Sequence, residues 1–83
     1  MRVRYFASVR ERIGLAEEDI TLPSEVATVG DLIAWLSRRG EDYATAFIDA
    51  AKVRAALDQT HAHLEAPIGS AREVAFFPPM TGG

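Results

Sequence analysis

The residues best suited to carry chemistry are two glycines at the end of the sequence, Gly82 and Gly83. Because glycine has no Cβ and tolerates almost any φ, another group can approach its main chain closely. At an average glycine usage of about 7%, two glycines occupy a given pair of positions in roughly one chain of two hundred. The pair therefore indicates either chemistry at a main-chain carboxylate or a frayed end without a function.

The strand predicted just ahead of these glycines separates two phenylalanines. Side chains alternate along residues 73–77, so Val74 and Phe76 share one face while Ala75 and Phe77 share the other. A core on one face of the sheet can therefore take only one of the two phenylalanines. We expect Phe76 to point inward and Phe77 to point outward, where it is available to a partner.

Two prolines end this strand. Pro78 and Pro79 have no N–H group to donate, so sheet pairing must stop there. They also keep the start of the tail extended, which lowers the entropy lost when the tail enters another protein. The reach from Pro78 to Gly83 is at most roughly 20 Å, enough to enter a buried site. We expect one domain over residues 1–77 and an extended tail over residues 78–83. The alternative, a proline motif for an SH3-like groove, lacks the PxxP spacing.

Cysteine is absent, which excludes disulfides, thiolate metal sites and thiol nucleophiles. A sulfur cargo on this chain would then have only a main-chain carboxylate to occupy. Lys52 is the only lysine, which argues against a modifier that builds chains through its own lysines. His61 and His63 share one face of a predicted strand, where they either bind a metal with further ligands or form a polar outer edge. We predict the polar edge and no metal site.

The overall composition is that of a globular protein. The 83 residues include 48% hydrophobic and 25% charged residues, with a net charge of −3. Basic residues are scattered among acidic ones, which argues against a nucleic-acid partner. No apolar run approaches the roughly 20 residues that span a bilayer, and the N-terminus resembles a strand more than a signal peptide. We therefore expect a single domain in the cytoplasm, with no membrane partner.

The first half of the chain predicts two strands and a short helix. Residues 2–6 alternate as a strand that places Phe6 outward. Residues 8–13 suit a helical turn that Ser8 caps and Gly14 closes. Residues 17–22 suit a second strand.

The main helix is predicted to begin at Thr28, with Asp31 in the capping-box position. Apolar residues then recur at the spacing of one helix face: Val29, Leu32, Ile33 and Leu36. Asp42 is a candidate cap for a further short helix.

The second half predicts a hairpin and a last strand. Residues 53–57 alternate, residues 58–60 suit a turn, and residues 61–64 return. With the strand over residues 73–77, the order is strand, strand, helix, hairpin, strand. A mixed sheet with its helices on one face buries the single apolar face of every element, so we predict an α+β fold.

Several segments resemble the small subunits of molybdopterin synthases, a family of ubiquitin-like sulfur carriers. They are residues 3–7 with 9–11, residues 27–32 and, most specifically, residues 73–83, Glu-Val-Ala-Phe-Phe-Pro-Pro-Met-Thr-Gly-Gly. A terminal Gly-Gly is shared with ubiquitin and with the carriers for thiazole synthesis and tRNA thiolation, whereas Phe-Phe-Pro-Pro is similar to the molybdopterin branch. The chain departs from the family at Asp58, where asparagine is usual, and at Arg4, a commonly apolar position. The resemblance implies a β-grasp fold, a mixed sheet packed against one main helix, with a protruding C-terminal tail.

The resemblance also implies a cycle at Gly83. An activating enzyme adenylates the carboxylate with ATP, a sulfur donor replaces AMP to leave a thiocarboxylate, and the tail enters the large synthase subunit. There the sulfur passes to cyclic pyranopterin monophosphate, in molybdenum cofactor biosynthesis. The chain would thus be a consumed co-substrate in a heterotetramer with the large subunit, with no catalytic side chain and no permanently bound cofactor.

The residues predicted to touch a partner lie along the tail and at its base. If the first and last strands are neighbours, as the resemblance implies, Phe77 lies near the outward Phe6, and His61 borders them. The predicted contact set is Phe6, His61, Phe77, Pro78, Pro79, Met80 and Thr81, with Gly82 and Gly83 as the reactive thread.

Three other functions remain open at the level of the sequence. The chain could be a carrier for thiazole or tRNA thiolation, or a ubiquitin-like protein modifier joined through Gly83 to lysines. It could also be a β-grasp interaction domain whose glycine end has no function. In that last case, Phe6 and Phe77 are merely covered by their own chain.

Overall fold

The sheet is organised around the pairing of the first and last strands. The computed structural model describes residues 1–79. Its elements are β1 (Arg2–Tyr5), α1 (Ala7–Ile13), β2 (Glu17–Asp19), α2 (Val29–Ser37), α3 (Glu41–Ala46), a 3-10 turn (Ala50–Lys52), β3 (Arg54–Leu57), β4 (Thr60–Ala62) and β5 (Glu73–Phe77). The five strands form one sheet in the order β2-β1-β5-β3-β4. β1 and β5 are parallel and the other neighbours are antiparallel. The predicted α+β fold class and β-grasp arrangement are confirmed.

One face of the sheet carries the core. Val3 and Tyr5 of β1 and Val74 and Phe76 of β5 are buried on it, as the alternation predicted. Helical and loop residues complete this core: Val9, Ile13, Ile20, Val29, Leu32, Ile33, Leu36, Phe47 and Ile68, with Ala55 from β3. We call this side the inner face. The side that carries Arg2, Arg4, Ala75 and Phe77 is the outer face.

Helix α2 begins at the predicted cap. The Thr28 hydroxyl accepts a hydrogen bond from the Asp31 N–H at 3.1 Å, and the Asp31 carboxylate accepts from the N–H groups of Ala27 and Thr28, both at 3.1 Å. These backbone bonds hold the pKa of Asp31 below its ordinary value. The buried side chains of α2 are the four predicted ones. No helix within residues 1–79 is long and apolar enough to cross a membrane.

Helix α1 begins earlier than predicted. Phe6 occupies the N-cap position and no side chain caps the helix, so the prediction of Ser8 as the cap was wrong. Ala7 turns the chain from strand to helix with a φ of 50°, a conformation that a Cβ makes unfavourable. At the other end, Gly14 has a φ of 85° and donates its N–H to the Arg10 carbonyl at 2.8 Å. The predicted glycine stop is therefore confirmed.

Two other boundaries differ from the predictions. Helix α3 has Gly40 at its N-cap, so the prediction of Asp42 as the cap was wrong. Asp42 instead lies in the first turn, where its charge suits the helix dipole. β2 is shorter than predicted because it pairs with β1 only over Glu17–Asp19. Ile20, just beyond the strand, is nevertheless buried.

The predicted hairpin is confirmed, but its turn is shorter than residues 58–60, because Thr60 already belongs to β4. Asp58 and Gln59 form a two-residue loop with φ values of 46° and 70°. Two successive positive φ angles are what a type I′ hairpin turn requires. The Asp58 carboxylate also accepts hydrogen bonds from the N–H groups of Arg72 and Glu73, at 3.0 and 3.1 Å. Asp58 therefore fastens the turn to the start of β5.

Candidate functional site at the base of the tail

Strand β5 leads into the tail, which we define as residues 78–83. The base of the tail is the point where it follows β5. Strand β5 pairs with β1 up to Tyr5↔Phe76 and with β3 up to Arg54↔Phe77. Beyond the end of β1, the Phe6 N–H donates to the Phe76 carbonyl at 3.0 Å. Because the strand is held on both edges to its last residues, the sheet fixes where the tail leaves the domain.

Phe76 anchors this end of the strand in the core. Its ring is fully buried. It stacks on Tyr5 with 6.5 Å between ring centroids, and it meets Phe47 edge-on at 5.2 Å. Complete burial of such a side chain stabilises the fold by roughly 1.5 to 3 kcal/mol. Phe76 is thus held both by the packing of its ring and by the hydrogen bond that its carbonyl accepts from Phe6.

The outer face brings the predicted contact residues to the same end of the sheet. Phe77 is half-buried, and the His61 ring meets it edge-on with centroids 6.1 Å apart. Phe6 is 39% exposed. The Arg4 guanidinium lies 5.1 Å from the centroid of the Phe6 ring. Phe6 follows the end of β1 and Phe77 ends the adjacent strand β5. Each has its own polar neighbour, and both remain accessible in part.

Strand β5 ends where the prolines predicted. β5 ends at Phe77, and Pro78 and Pro79 are half-buried against the domain. The remaining predicted site residues, Met80, Thr81, Gly82 and Gly83, lie outside the described residues.

The two histidines lie close together but do not assemble a metal centre with other residues. Their ring centroids are 6.3 Å apart, and both line a cleft of about 410 Å³ that also includes Arg54 and Glu65. In the part of the chain that the structure describes, no three potential metal ligands converge. Two imidazoles alone leave a tetrahedral zinc site two ligands short.

A polar cluster lies away from the tail, where β1, β2 and the helices meet. The hydroxyls of Tyr5 and Tyr43 both donate to Glu18 Oε2, at 2.8 and 2.7 Å, and Arg39 donates to Oε1 at 3.1 Å. The Arg39 guanidinium also lies 4.9 Å from the centroid of the Tyr43 ring and 5.4 Å from that of Trp35. We call these residues the tyrosine–glutamate cluster.

The electrostatics of this cluster suit a structural role. Burial alone raises the pKa of Glu18, but the bonds from Tyr43, Tyr5 and Arg39 outweigh it and hold that pKa below its ordinary value. Burial, and then the bond to Glu18, raises the pKa of Tyr5 and of Tyr43. Since each polar group satisfies another, the cluster fastens the short strand β2 to α3 and leaves no group poised for chemistry.

The sequence did not predict this cluster, because Tyr5 and Tyr43 lie 13 and 25 residues from Glu18 along the chain. Nor did it single out Ile48, which is 85% exposed and lies in a groove with Pro78 and Pro79. In both cases only the folded chain brings the residues together.

Comparison with known proteins supports the fold and shows the family. The model of the ThiS family matches residues 3–83. The chain is 36% identical to the molybdopterin synthase sulfur carrier subunit of Haemophilus influenzae and 35% identical to that of Escherichia coli, in each case over 100% of this chain and 99% of the relative. Among solved structures, small archaeal modifier protein 1 of Haloferax volcanii superposes with a TM-score of 0.70 over 95% of each chain. Its identity of 22% supports a shared fold alone. The family match and the full-length relatives together show that this chain belongs to the ThiS family.

Proposed function

We propose that this chain is the sulfur carrier subunit of a molybdopterin synthase, and that Gly83 carries the sulfur. The observation that carries the proposal is the course of β5, which pairs with β1 up to Phe76 and with β3 up to Phe77. Two prolines follow it in the sequence, and two glycines lie beyond Met80 and Thr81. The names of the two full-length relatives support the same role.

The reaction at Gly83 has two steps that other proteins catalyse. The carboxylate attacks the α-phosphorus of ATP in an activating enzyme, so that an acyl adenylate forms and pyrophosphate leaves. Hydrosulfide supplied by a donor system then attacks the acyl carbon and displaces AMP, which leaves a thiocarboxylate. This chain contributes the carboxylate and the absence of a Cβ beside it, so that two proteins can approach its main chain in turn.

The thiocarboxylate then delivers its sulfur inside the large synthase subunit. Sulfur passes to cyclic pyranopterin monophosphate, water supplies the oxygen that restores the carboxylate, and a second delivery completes the dithiolene. The carrier is a co-substrate in this step and contributes no acid, base or nucleophile from a side chain. Neither a metal nor a bound cofactor is assigned to it.

The outer face at the base of the tail would meet the large subunit. Phe77 and Phe6 offer partly exposed aromatic surface there, with His61 beside Phe77. Aromatic side chains of this kind contribute strongly to interfaces, since they cover a large area with few rotatable bonds. Pro78 and Pro79 limit the entropy lost when the tail inserts, and Met80 and Thr81 would line its path.

Mass spectrometry tests the carrier chemistry directly. The chain is incubated with its activating enzyme, ATP and a sulfur donor, and we expect one oxygen of the Gly83 carboxylate to be replaced by sulfur. Deleting Gly83, or adding a residue after it, should abolish the exchange without altering the circular dichroism. The matched control adds the same residue before Met1. An unmodified wild-type chain would rule out the proposal.

Binding to the large subunit tests the partner surface. Phe77→Arg should weaken the complex by about tenfold or more, since it places a charge in an aromatic contact. Ala34→Arg is the control, because Ala34 is an exposed residue of α2 on the helical side of the sheet. If both variants bind like the wild type, the outer face is not the interface. A chain that is thiolated but never binds a large subunit would instead serve another sulfur acceptor.

A further inference from the structure

Three arginines in the strands lie on the outer face, and the chain neutralises them to different degrees. Arg2 pairs with two carboxylates of β2, and Arg4 lies 3.9 Å from a carboxylate oxygen of Glu73. Arg54 of β3, which lies opposite Phe77 in the register, forms no ion pair within residues 1–79. Among these three arginines, the one without an intramolecular carboxylate is therefore the one beside Phe77, at the base of the tail.

The backbone helps to hold the side chain of Arg54 in place. Arg54 is exposed, and its Nη1 donates to the Ala51 carbonyl at 3.0 Å. A guanidinium carries five N–H donors, so this bond leaves others available to a ligand. Because the planar fork matches a carboxylate and part of its freedom is already lost in the free chain, Arg54 is suited to bind a carboxylate at low entropic cost.

Arg54 lines the cleft of about 410 Å³ beside β4. His61 and His63 line it as well, and a neutral imidazole offers one N–H donor, whichever nitrogen carries the proton. Val53 and Leu64 add apolar surface to the same cleft. Since the cleft combines hydrogen-bond donors with apolar surface, it suits a protein segment that carries an acidic side chain.

The cleft also has one carboxylate among its described lining residues, that of Glu65. Glu65 is exposed, lies in the turn after β4 and forms no ion pair with Arg54. The two side chains therefore present separate charges to whatever enters the cleft. A carboxylate in the cleft would be attracted by Arg54 and repelled by Glu65, whereas a cation would show the opposite pattern.

We propose that this cleft is part of the interface with the large subunit, and that Arg54 binds a carboxylate of the large subunit there. This assignment rests on the proposed function and extends the aromatic contact at Phe77 toward β4. His61 connects the two parts, since its ring meets Phe77 with centroids 6.1 Å apart and also lines the cleft. An ion pair beside the aromatic contact would select the matching large subunit, because a partner without the carboxylate leaves Arg54 without its counter-charge.

Charge changes at the two ends of the cleft should act in opposite directions. Arg54→Glu should weaken binding to the large subunit by about tenfold or more, because it sets two carboxylates against each other. Arg54→Lys keeps the charge without the planar fork, so the loss should be about threefold or less. Glu65→Lys should strengthen binding by about twofold to fivefold. The difference between Arg54→Glu and the wild type should shrink severalfold between about 0.05 M and about 0.5 M NaCl.

Isothermal titration calorimetry of each carrier with the large subunit measures these affinities, and circular dichroism checks that each variant is folded. Arg38→Glu is the matched control, because it makes the same change in net charge at an exposed residue that ends α2 on the helical side of the sheet. It should bind within about twofold of the wild type. Weaker binding of Arg54→Glu, tighter binding of Glu65→Lys and normal binding of Arg38→Glu support the proposal.

Three results would overturn the proposal. Unchanged binding of Arg54→Glu would place Arg54 outside the interface. An equal loss in Arg38→Glu would mean that net charge alone is responsible. If Arg54→Glu binds normally but lowers sulfur transfer at saturating carrier, the cleft takes the phosphate of the pterin substrate and not a carboxylate of the large subunit.

Failure of the proposed function itself has a different signature. If the chain is not this sulfur carrier, the wild type will gain no sulfur at Gly83 and will not bind the large subunit. If only the role of Arg54 is misassigned, the wild type will do both and Arg54→Glu will match it.

Discussion

The inner and outer faces of the sheet carry similar side chains, but those on the inner face are buried and those on the outer face are partly accessible. Phe76 is fully buried on the inner face between two other rings, whereas its neighbour Phe77 is half-buried on the outer face beside His61. Both residues lie in β5, where Phe76 is paired with β1 and β3 and Phe77 is paired with β3. What separates them is the side of the sheet that the helices cover. The inner face therefore determines stability, and the outer face is free to serve recognition.

The two glutamates of β2 also differ between the inner and outer faces of the sheet. On the inner face, Glu18 is enclosed by two tyrosine hydroxyls and Arg39. On the outer face, its neighbour Glu17 pairs with Arg2 at 2.6 Å, but both side chains remain about half exposed. A solvated ion pair contributes little to stability, while a carboxylate that satisfies partly buried hydroxyls cannot be removed without leaving them unpaired. The adjacent glutamates Glu17 and Glu18 of β2 are thus expected to differ greatly in their contribution to the stability of the fold.

The largest expected effect separates the two phenylalanines. Phe76→Ala should lower the free energy of unfolding by about 3 to 5 kcal/mol, because it opens a cavity against Tyr5 and Phe47. Phe77→Ala should lower it by about 1 kcal/mol or less, while it weakens binding to the large subunit. Urea denaturation and a binding titration measure the two quantities. Equal losses of stability would break the distinction between the faces.

The next effect compares the two glutamates. Glu18→Ala should destabilise the fold by about 1 to 3 kcal/mol, because the hydroxyls of Tyr5 and Tyr43 lose their acceptor. Glu17→Ala should cost about 0.5 kcal/mol or less. Both are measured by urea denaturation at neutral pH. A similar cost for the two variants would mean that the tyrosine–glutamate cluster contributes no more than a surface ion pair.

The cluster also predicts a pH dependence. The pKa of Glu18 is lowered in the folded chain, so its contribution is present above the unfolded value of about 4.3 and is lost as the pH falls through the folded pKa. The pKa of Tyr5 and of Tyr43 is raised, so their contribution is lost only as the pH rises above about 10. The stability difference between wild type and Glu18→Ala should therefore shrink below about pH 4. A difference that stays constant in acid would contradict this assignment.

A smaller effect is expected at the hairpin turn, and it is stabilising. Gln59 has a φ of 70°, which glycine adopts more readily than glutamine. Gln59→Gly should raise the free energy of unfolding by about 0.5 to 1 kcal/mol. Asp58→Gly is the control, because it relieves the same kind of backbone strain but removes the acceptor for Arg72 and Glu73. Thermal unfolding should show a higher midpoint for the first variant and not for the second.

The smallest effect concerns Arg4 on the outer face. Its guanidinium lies over the Phe6 ring and 3.9 Å from a carboxylate oxygen of Glu73, in a solvated setting. Arg4→Ala should change the free energy of unfolding by no more than about 0.5 kcal/mol. A loss above about 1 kcal/mol would show that the outer face also supports the fold.

Much of the fold could be predicted because its signals are local. The alternation in β5 predicted which phenylalanine is buried, and the apolar spacing after Thr28 predicted the buried face of α2. The positions of helix caps were less predictable. Ser8 and Asp42 are good capping residues, but the N-cap positions lie two residues earlier, at Phe6 and Gly40.

The sequence by itself determined which groups are present for chemistry: it contains no cysteine, and it contains Gly82 and Gly83, on which the proposed sulfur carriage rests. It also determined the family, because the segment over residues 73–83 is continuous along the chain. Only the tertiary structure decided which residues meet in space. The contact of His61 with Phe77, the tyrosine–glutamate cluster and the groove at Ile48 all join residues that are distant in sequence. The physical reason is that periodicity reports which face of an element is apolar, whereas pairing order and helix packing determine which faces meet.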